Sequence, residues 1–435
     1  MKPGTAMNNR MAESESVSSA GTSAPASRPL SLLLICRSYP PVLGGSEIEA
    51  QRVCAALIQR GHHVTVLCAG GRPMPAVKRW TDPAGVPVRI IGGRVPSRLR
   101  DYAFALGVAW ALIRERRNYQ TAYFLMQGLH LAVGLPVARL LRKRIVMKVS
   151  GSSIITLMRE HWLGRMELRF LRKWARTVMV LNPGIEQEAI EAGLERSQLA
   201  WMPNPVDDEQ FAPCDPEERL EIRRSLALSE DARVVLFVGR LAPEKELPSL
   251  LRAFAAVRAE HHDARLILIG DGPVRAALEQ MTQQLRIADA VTFTGRLESA
   301  DVVRWLRASD IFALVSSNEG FPCSLAEAMC AGLPAVASDI PGNAQLIEPM
   351  ETGLLTRTGD PKSIAEALGR LLQDERLRRR LGATARERVA GAYSTEKVME
   401  RYEQLFRDAL GPVQPERAPH ESRVEAAGEP HERIG

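Results

Sequence analysis

The strongest constraint on this chain is that it speaks one grammar twice: short apolar runs separated by helix-length amphipathic stretches. In the first half, "SLLLIC" (31–36), "HVTVL" (63–67), "VRII" (88–91), "AYFLM" (122–126), "IVMKV" (145–149) and "TVMVLN" (177–182) read as strands. The pattern restarts at "ARVVLFVG" (232–239) and continues through "RLILIG", "VTFTG", "DIFALVSS", "PAVAS" and "GLLT". Short runs this apolar suit strands buried on both faces, and the helices between them supply the crossovers that parallel strands require. The fold class is therefore α/β, with two Rossmann-like, doubly wound parallel-sheet domains facing a central cleft. With 435 residues there is chain enough for two cores. The break falls near "WMPNPVDDEQF" (201–211), where Pro, Asn and Asp cluster. This predicts an amino-terminal domain over 30–203 and a carboxyl-terminal domain over 204–390. A last helical pattern, "STEKVMERYEQLF", lies within 391–410 and is expected to cross back to the first domain.

Residues 1–29 and 411–435 are rich in small, polar and Pro residues and read as a disordered arm and tail. No apolar run reaches the roughly 18 residues of a membrane span; the longest, "AFALGVAWALI" (103–113), reads as a buried helix. Six cysteines at 36, 54, 68, 214, 323 and 330 form no CxxC pair and read as reduced thiols of a cytoplasmic protein. The formal charge of +6 is concentrated: between Arg139 and Arg176 eleven Lys or Arg stand against two Glu. Such a stretch suits solvated helix faces or an anionic partner.

In doubly wound sheets the loops at the carboxyl ends of the strands hold the ligands. Four such loops carry candidate residues. "YPPVLGGSE" (39–47) contains Gly44 and Gly45; "GRLAPEKE" (239–246) contains Arg240 and Lys245; "GDGP" (270–273) contains Gly272; "NEGFPCSLAE" contains Glu319 and Glu327. The dinucleotide signature GxGxxG is absent, because "GDGPVR" ends on Arg275, which argues against a nicotinamide or flavin enzyme. Two capping boxes are expected, Ser324 with Glu327 and Ser46 with Glu49. The first would make Glu327 purely structural.

Together these segments resemble the retaining glycosyltransferases of family 4, which have the two-domain GT-B fold, over roughly residues 30 to 410. Glu319 and Glu327 match that family's E-x7-E motif, "GRLAPEK" its G-R-L-x-x-x-K segment, and "YPPVLGGSE" its glycine-rich loop. "PNPVD" (203–207) is similar to its interdomain stretch, and "AEAMCAGLPAVAS" to its sequel to the second glutamate. The resemblance implies sugar transfer from a nucleoside diphosphate sugar to a hydroxyl of a glycan or lipid-linked acceptor, with no cofactor and no metal. It implies that Glu319 holds the donor sugar, and that the amides of Gly320, Phe321 and Cys323 face sugar and diphosphate. It further implies that Glu327 takes the ribose hydroxyls and that Arg240 and Lys245 clamp the diphosphate. Gly44, Gly45, Gly272 and, near the base, Leu297 complete the expected donor site.

Two departures from the family pattern stand out. Glu246 occupies the place after the clamp lysine where the family usually has Gly. The family's sugar-contacting His falls on Gln127, with His130 one turn later as the other candidate. Other GT-B enzymes, such as an epimerase or an inverting transferase, and a non-catalytic GT-B binding protein remain as alternatives. Nucleic acid is not an expected partner. In "LMREHWLGRMELRFLRKWAR" (157–176), apolar Met158, Trp162, Met166, Phe170 and Trp174 recur every fourth residue. They read as a buried stripe, flanked by Arg165, Arg169, Arg172 and Lys173 as a candidate contact with an anionic membrane surface.

Overall fold

The computed structural model describes residues 28–41, 45–70, 79–92 and 95–411. Gly44, most of the expected arm and all but the first residue of the expected tail lie outside them. Among the described residues fourteen strands form two sheets. The first contains β1 (Ser31–Cys36), β2 (His63–Ala69), β3 (Arg79–Thr81), β4 (Pro87–Ile91), β5 (Thr121–Leu125), β6 (Arg144–Lys148), β7 (Thr177–Val180) and β8 (Leu199–Trp201). The second contains β9 (Arg233–Val238), β10 (Ala264–Ile269), β11 (Val291–Gly295), β12 (Ile311–Leu314), β13 (Ala335–Ser338) and β14 (Gly353–Thr356). Their spatial orders are β3-β4-β2-β1-β5-β6-β7-β8 and β11-β10-β9-β12-β13-β14. Every pair is parallel except β3 with β4, a short antiparallel edge in which Trp80 opposes Val88. Neither β3 nor β8 is signalled by an apolar run, since edge strands have one flank to bury and need less hydrophobicity.

The helices used below are α1 (Gly45–Gln59), α2 (Arg100–Arg114), α3 (Leu129–Leu140), α4 (Ile154–Glu160), α5 (Trp162–Trp174), α6 (Pro183–Glu191), α7 (Pro216–Ser225), α8 (Leu247–Arg258), α9 (Arg275–Gln284), α10 (Ser299–Ala308), α11 (Cys323–Cys330), α12 (Pro341–Ala344), α13 (Pro361–Gln373), α14 (Glu375–Tyr393) and α15 (Thr395–Leu410). Several are started by side chains that accept from otherwise orphaned amides, as Asn182 does for α6, Asp374 for α14 and Ser394 for α15. One face of the first sheet packs against α2, α3 and α5. The other is covered by α1 and by Val398, Met399, Tyr402 and Phe406 of α15, so the last helix is part of the first sheet's core.

Three local expectations are overturned. Neither capping box forms: Ser46 lies inside α1 with Glu49 turned inward, and α11 starts at Cys323 without a side-chain cap. Both glutamates have stronger partners elsewhere. The stretch 103–113 is a helix but only half buried, with Leu106 68% and Trp110 60% exposed. The four-residue stripe of 158–174 is broken, because the chain turns extended at His161 between α4 and α5. Trp162 is exposed, and α5 buries Gly164, Glu167, Leu168 and Leu171 instead.

At the carboxyl end of β6 a lysine inside an apolar strand has its explanation. Lys148 is fully buried, and its ammonium donates to Glu49 Oε1 (2.7 Å), Asn204 Oδ1 (2.8 Å) and the Tyr402 hydroxyl (2.8 Å). Tyr402 in turn donates to Glu49 Oε1 at 2.9 Å. One cation thus ties α1, the stretch joining the sheets and α15 to the first sheet.

Candidate functional site

Strand order decides which loops meet. In the second sheet β9 lies between β10 and β12, the point where the chain reverses its direction of travel across the sheet. A crevice opens at the carboxyl ends of strands at such a switch. The loop after β9 carries Arg240 and Lys245; the loop after the adjacent β12 carries Glu319. Lys245 Nζ donates to Glu319 Oε1 at 2.6 Å, with both side chains more than four-fifths buried. Ser317 N–H and hydroxyl both donate to the Glu244 carbonyl (2.9 and 3.3 Å), fastening one loop to the other. Arg240 is not drawn into this contact: it is largely exposed and ion-paired with Glu244.

Glu246 has left-handed backbone angles (φ 50°, ψ 31°) at the start of α8. A glycine adopts that conformation without strain. The glutamate therefore changes the residue without changing the turn. Gly272 is required by packing: a Cβ there would meet the Leu241 carbonyl oxygen at 2.2 Å. Gly45, at the head of α1, has open space where a Cβ would be. Leu297 is half-buried against the core.

Glu327 lies in the second turn of α11 and accepts from Arg52 of α1 at 3.2 Å. Burial raises its pKa above the usual carboxylate value, and the Arg52 guanidinium opposes that rise. Before α11 and in its first turn, the amides of Gly320, Phe321, Cys323 and Ser324 donate to no backbone carbonyl among the described residues. Those N–H groups form an unfilled donor set at a helix amino terminus. The Phe321 ring is buried 5.7 Å from Tyr393. Cys323 is a neutral thiol, its pKa pushed up to about 11 by burial, and its sulfur accepts from Asn204 at 3.4 Å.

The amino-terminal half grips the same loop. Ser152 Oγ donates to the Glu319 carbonyl (2.8 Å), and Asn182 Nδ2 to the Gly320 carbonyl (2.7 Å). A Cβ on Gly320 would sit 3.0 Å from Gly151 Cα. Arg52, Ser152 and Asn182 are site residues that the sequence reading missed. The small-residue run "SGSS" after β6 was a legible signal for Ser152; nothing singled out Arg52.

The first sheet has its own switch between β1 and β5. Gln127 lies in the loop after β5, half-buried, with no partner for Oε1. His130 is a core residue at the start of α3, 2% exposed, its ring 5.2 Å from that of Phe104. Burial lowers its pKa to about 4, so it is neutral at pH 7.

Two family models divide the chain between them: "Glycosyltransferase Family 4" over residues 43–210 and "Glycosyl transferases group 1" over 218–388. The chain belongs to the family 4, group 1 glycosyltransferases. It is 26% identical over 379 residues to the N-acetyl-alpha-D-glucosaminyl L-malate synthase of Bacillus anthracis, covering 86% of this chain and 96% of that one. A GDP-mannose-dependent monoacylated alpha-(1-6)-phosphatidylinositol monomannoside mannosyltransferase of Corynebacterium glutamicum is 31% identical over 207 residues, 46% of this chain and 54% of its own. The crystal structure of HepE from Anabaena, in complex with UDP and glucose, superimposes with a TM-score of 0.72 at 20% identity, over 87% of this chain and all of that one. Fold and family agree: this glycosyltransferase is a GT-B protein.

One buried acid of the glycosyltransferase lies outside the motifs named above. Glu167 of α5 is 1% exposed and accepts from the Gly128 N–H (3.3 Å), in the loop after β5. Burial raises its pKa to about 7. A carboxyl whose folded pKa lies above its unfolded value binds more protons folded than unfolded, so stability falls as pH rises through that window. Glu167→Gln, which keeps the acceptor without the charge, should therefore raise the unfolding temperature at pH 8 and not at pH 5. The expected gain is about 1–3 kcal/mol. Thermal unfolding of both proteins at the two pH values measures it; equal shifts would mean that Glu167 does not titrate.

Proposed function

We propose that this glycosyltransferase moves a sugar from a nucleoside diphosphate sugar to an acceptor hydroxyl with retention of anomeric configuration and without a metal. The observation that carries the reading is the Lys245–Glu319 contact at the switch point, eight residues before Glu327 and beside the open amides of the α11 amino terminus. Donor diphosphate entering that crevice meets Lys245, the free amides of Gly320, Phe321 and Cys323, and Arg240 once it turns from Glu244. Lys245 turning to phosphate frees Glu319 to accept from sugar hydroxyls. Glu327 accepts from the ribose diol with the oxygen that Arg52 leaves open; a carboxylate suits two adjacent hydroxyls.

As the bond between sugar and diphosphate breaks, negative charge grows on the leaving group. Fixed cations and amides bind it more strongly in the transition state than in the ground state. No base stands ready at the sugar: the Gln127 amide cannot take a proton, and His130 is a core residue. In this reading the acceptor hydroxyl forms the new bond while its proton passes to the departing diphosphate oxygen. The acceptor is a glycan or a lipid-linked glycan precursor, bound by the amino-terminal half. Relatives named for N-acetylglucosaminyl and mannosyl transfer support the reaction class. Six unpaired cysteines suit a reducing compartment, so we place the reaction at the cytoplasm.

Proton NMR of the product anomer, formed from a labelled donor in excess EDTA, tests both halves of the proposal. The α-anomer from an α-linked donor is expected, at an unchanged rate. An inverted product removes the retaining assignment, activity lost to chelation removes metal independence, and no product with any donor favours a binding protein on this frame.

A further inference from the structure

Among the described residues nothing covers the outer face of α2. Leu99, Tyr102, Leu106, Trp110 and Ile113 are all exposed, Tyr102 by 61%. At 100° per residue they occupy an arc of roughly 80°. Opposite them Phe104, Ala105, Val108, Ala111 and Leu112 are buried against the first sheet. The helix is therefore apolar on both sides, a pattern that ordinarily means that both sides are covered. The neighbouring helices continue the surface, with Leu140 83% exposed at the end of α3, Leu157 on α4 and Trp162 on α5. Among the described residues, eight of the nine exposed large apolar side chains lie on this one layer. Contiguous exposed patches of this kind mark interaction surfaces.

Charge identifies the occupant. Arg98, Arg114, Arg116 and Arg117 are exposed at the two ends of α2, and the Arg114 guanidinium lies 4.9 Å from the Trp110 ring. Arg139, Arg142, Arg159, Arg165, Arg169, Arg172 and Lys173 are exposed across α3 to α5. The acidic residues exposed on α2 to α5 are Glu160 and Asp101, the latter ion-paired with Arg37 at 2.9 Å; beside them Glu191 of α6 pairs with Arg159 at 3.9 Å. A second copy docking by the same face would set two cationic surfaces against each other, a repulsive arrangement. Leu, Ile, Tyr and Trp in one stripe, rimmed by arginine, match a lipid interface with anionic headgroups.

The geometry points to the α2 face, with the basic rim of α3–α5, as the surface on which this protein rests on an anionic membrane. In this arrangement Arg165, Arg169, Arg172 and Lys173 meet the headgroups, and the apolar contact comes from α2 rather than from the stripe of α5. The first turn of α2 lies at the carboxyl end of β1, where Arg37 reaches Asp101, so the surface adjoins the crevice. An acceptor anchored in the lipid would be presented at its mouth.

Sedimentation of the full chain with phosphatidylcholine vesicles, with and without 30% phosphatidylserine, tests the proposal. The protein should pellet with the anionic vesicles at 50 mM salt and do so several-fold less at 500 mM. Leu106→Gln/Trp110→Gln, which alters only exposed side chains, should keep its unfolding temperature and lose at least tenfold in partitioning. Replacing Arg165, Arg169, Arg172 and Lys173 by Gln should weaken binding and flatten its salt dependence. The proposal is overturned if the wild type stays in the supernatant, or if the double variant partitions as the wild type does. It is equally overturned if the wild type is a dimer in solution that the double variant turns monomeric, since the face then belongs to a second copy. No donor or acceptor enters the readout, so failure here leaves the transferase reading standing, and the reverse.

Discussion

Replacing Lys245 by alanine should lower kcat/KM by roughly thirtyfold to a thousandfold, about 2–4 kcal/mol of lost transition-state stabilisation. The ammonium is held within 2.6 Å of Glu319, at the crevice where the leaving diphosphate would gather charge. Lys245→Arg should recover only part of the rate, because a planar guanidinium does not place its donors where a compact ammonium does. Arg240→Ala should cost a similar amount, which requires that the guanidinium leave Glu244 when phosphate is present. Glu327→Ala should behave differently. Its loss belongs in the dissociation constant of the nucleoside diphosphate, read by calorimetric titration, since ribose contacts serve ground and transition states alike. Near-normal rates in both cation variants would move the clamp elsewhere; unchanged affinity in Glu327→Ala would remove the ribose assignment.

Lys148→Met should be the most destabilising single change outside the crevice. It strands the Glu49 carboxylate, 4% exposed, with only the Tyr402 hydroxyl to satisfy it. Removing one partner of a buried ion pair costs about 3–5 kcal/mol, because the remaining charge is left desolvated. For a chain of this size that is about 3–6 °C in the unfolding temperature. Adding Glu49→Gln to the same variant should restore a good part of the loss, since the stranded charge is then gone. A Lys148→Met protein that melts with the wild type, or a double variant no better than the single, would show that the network does not hold α15 and the joining stretch to the first sheet.

How much of this was legible beforehand can be read from particular residues. The parallel strands of the second sheet stand out as apolar runs because strands buried on both faces must be apolar throughout. The turn after Lys245 was recognisable although Glu246 replaced the usual glycine, because its flanks were intact. The capping boxes were misleading: Ser324 and Glu327 have the right spacing, yet the glutamate pairs with Arg52, 275 residues away. A local hydrogen bond to an amide is a modest gain, and a long-range ion pair in a buried crevice outbids it. The periodic Met158–Trp174 pattern failed for a related reason, since periodicity says which residues share a face only while the helix continues, and at His161 it does not.

The sequence by itself determined most of the elements and loops: which apolar runs become strands, and that Glu319, Lys245 and Gln127 stand at strand-to-helix turns, with Glu327 inside the helix that follows. Those are consequences of local hydrophobic period and turn chemistry, which act over a few residues. Only the tertiary structure decided which loops meet. Lys245 reaches Glu319 because β9 pairs with β12 and not with a sequence neighbour on that side. Arg52 reaches Glu327, and Ser152 and Asn182 hold the Glu319–Gly320 carbonyls, because the two sheets turn their carboxyl ends toward each other. The same holds for α2. Its sequence is apolar enough to be buried all round, and whether a second layer covers it is a property of the packed molecule, in which none of the described residues does.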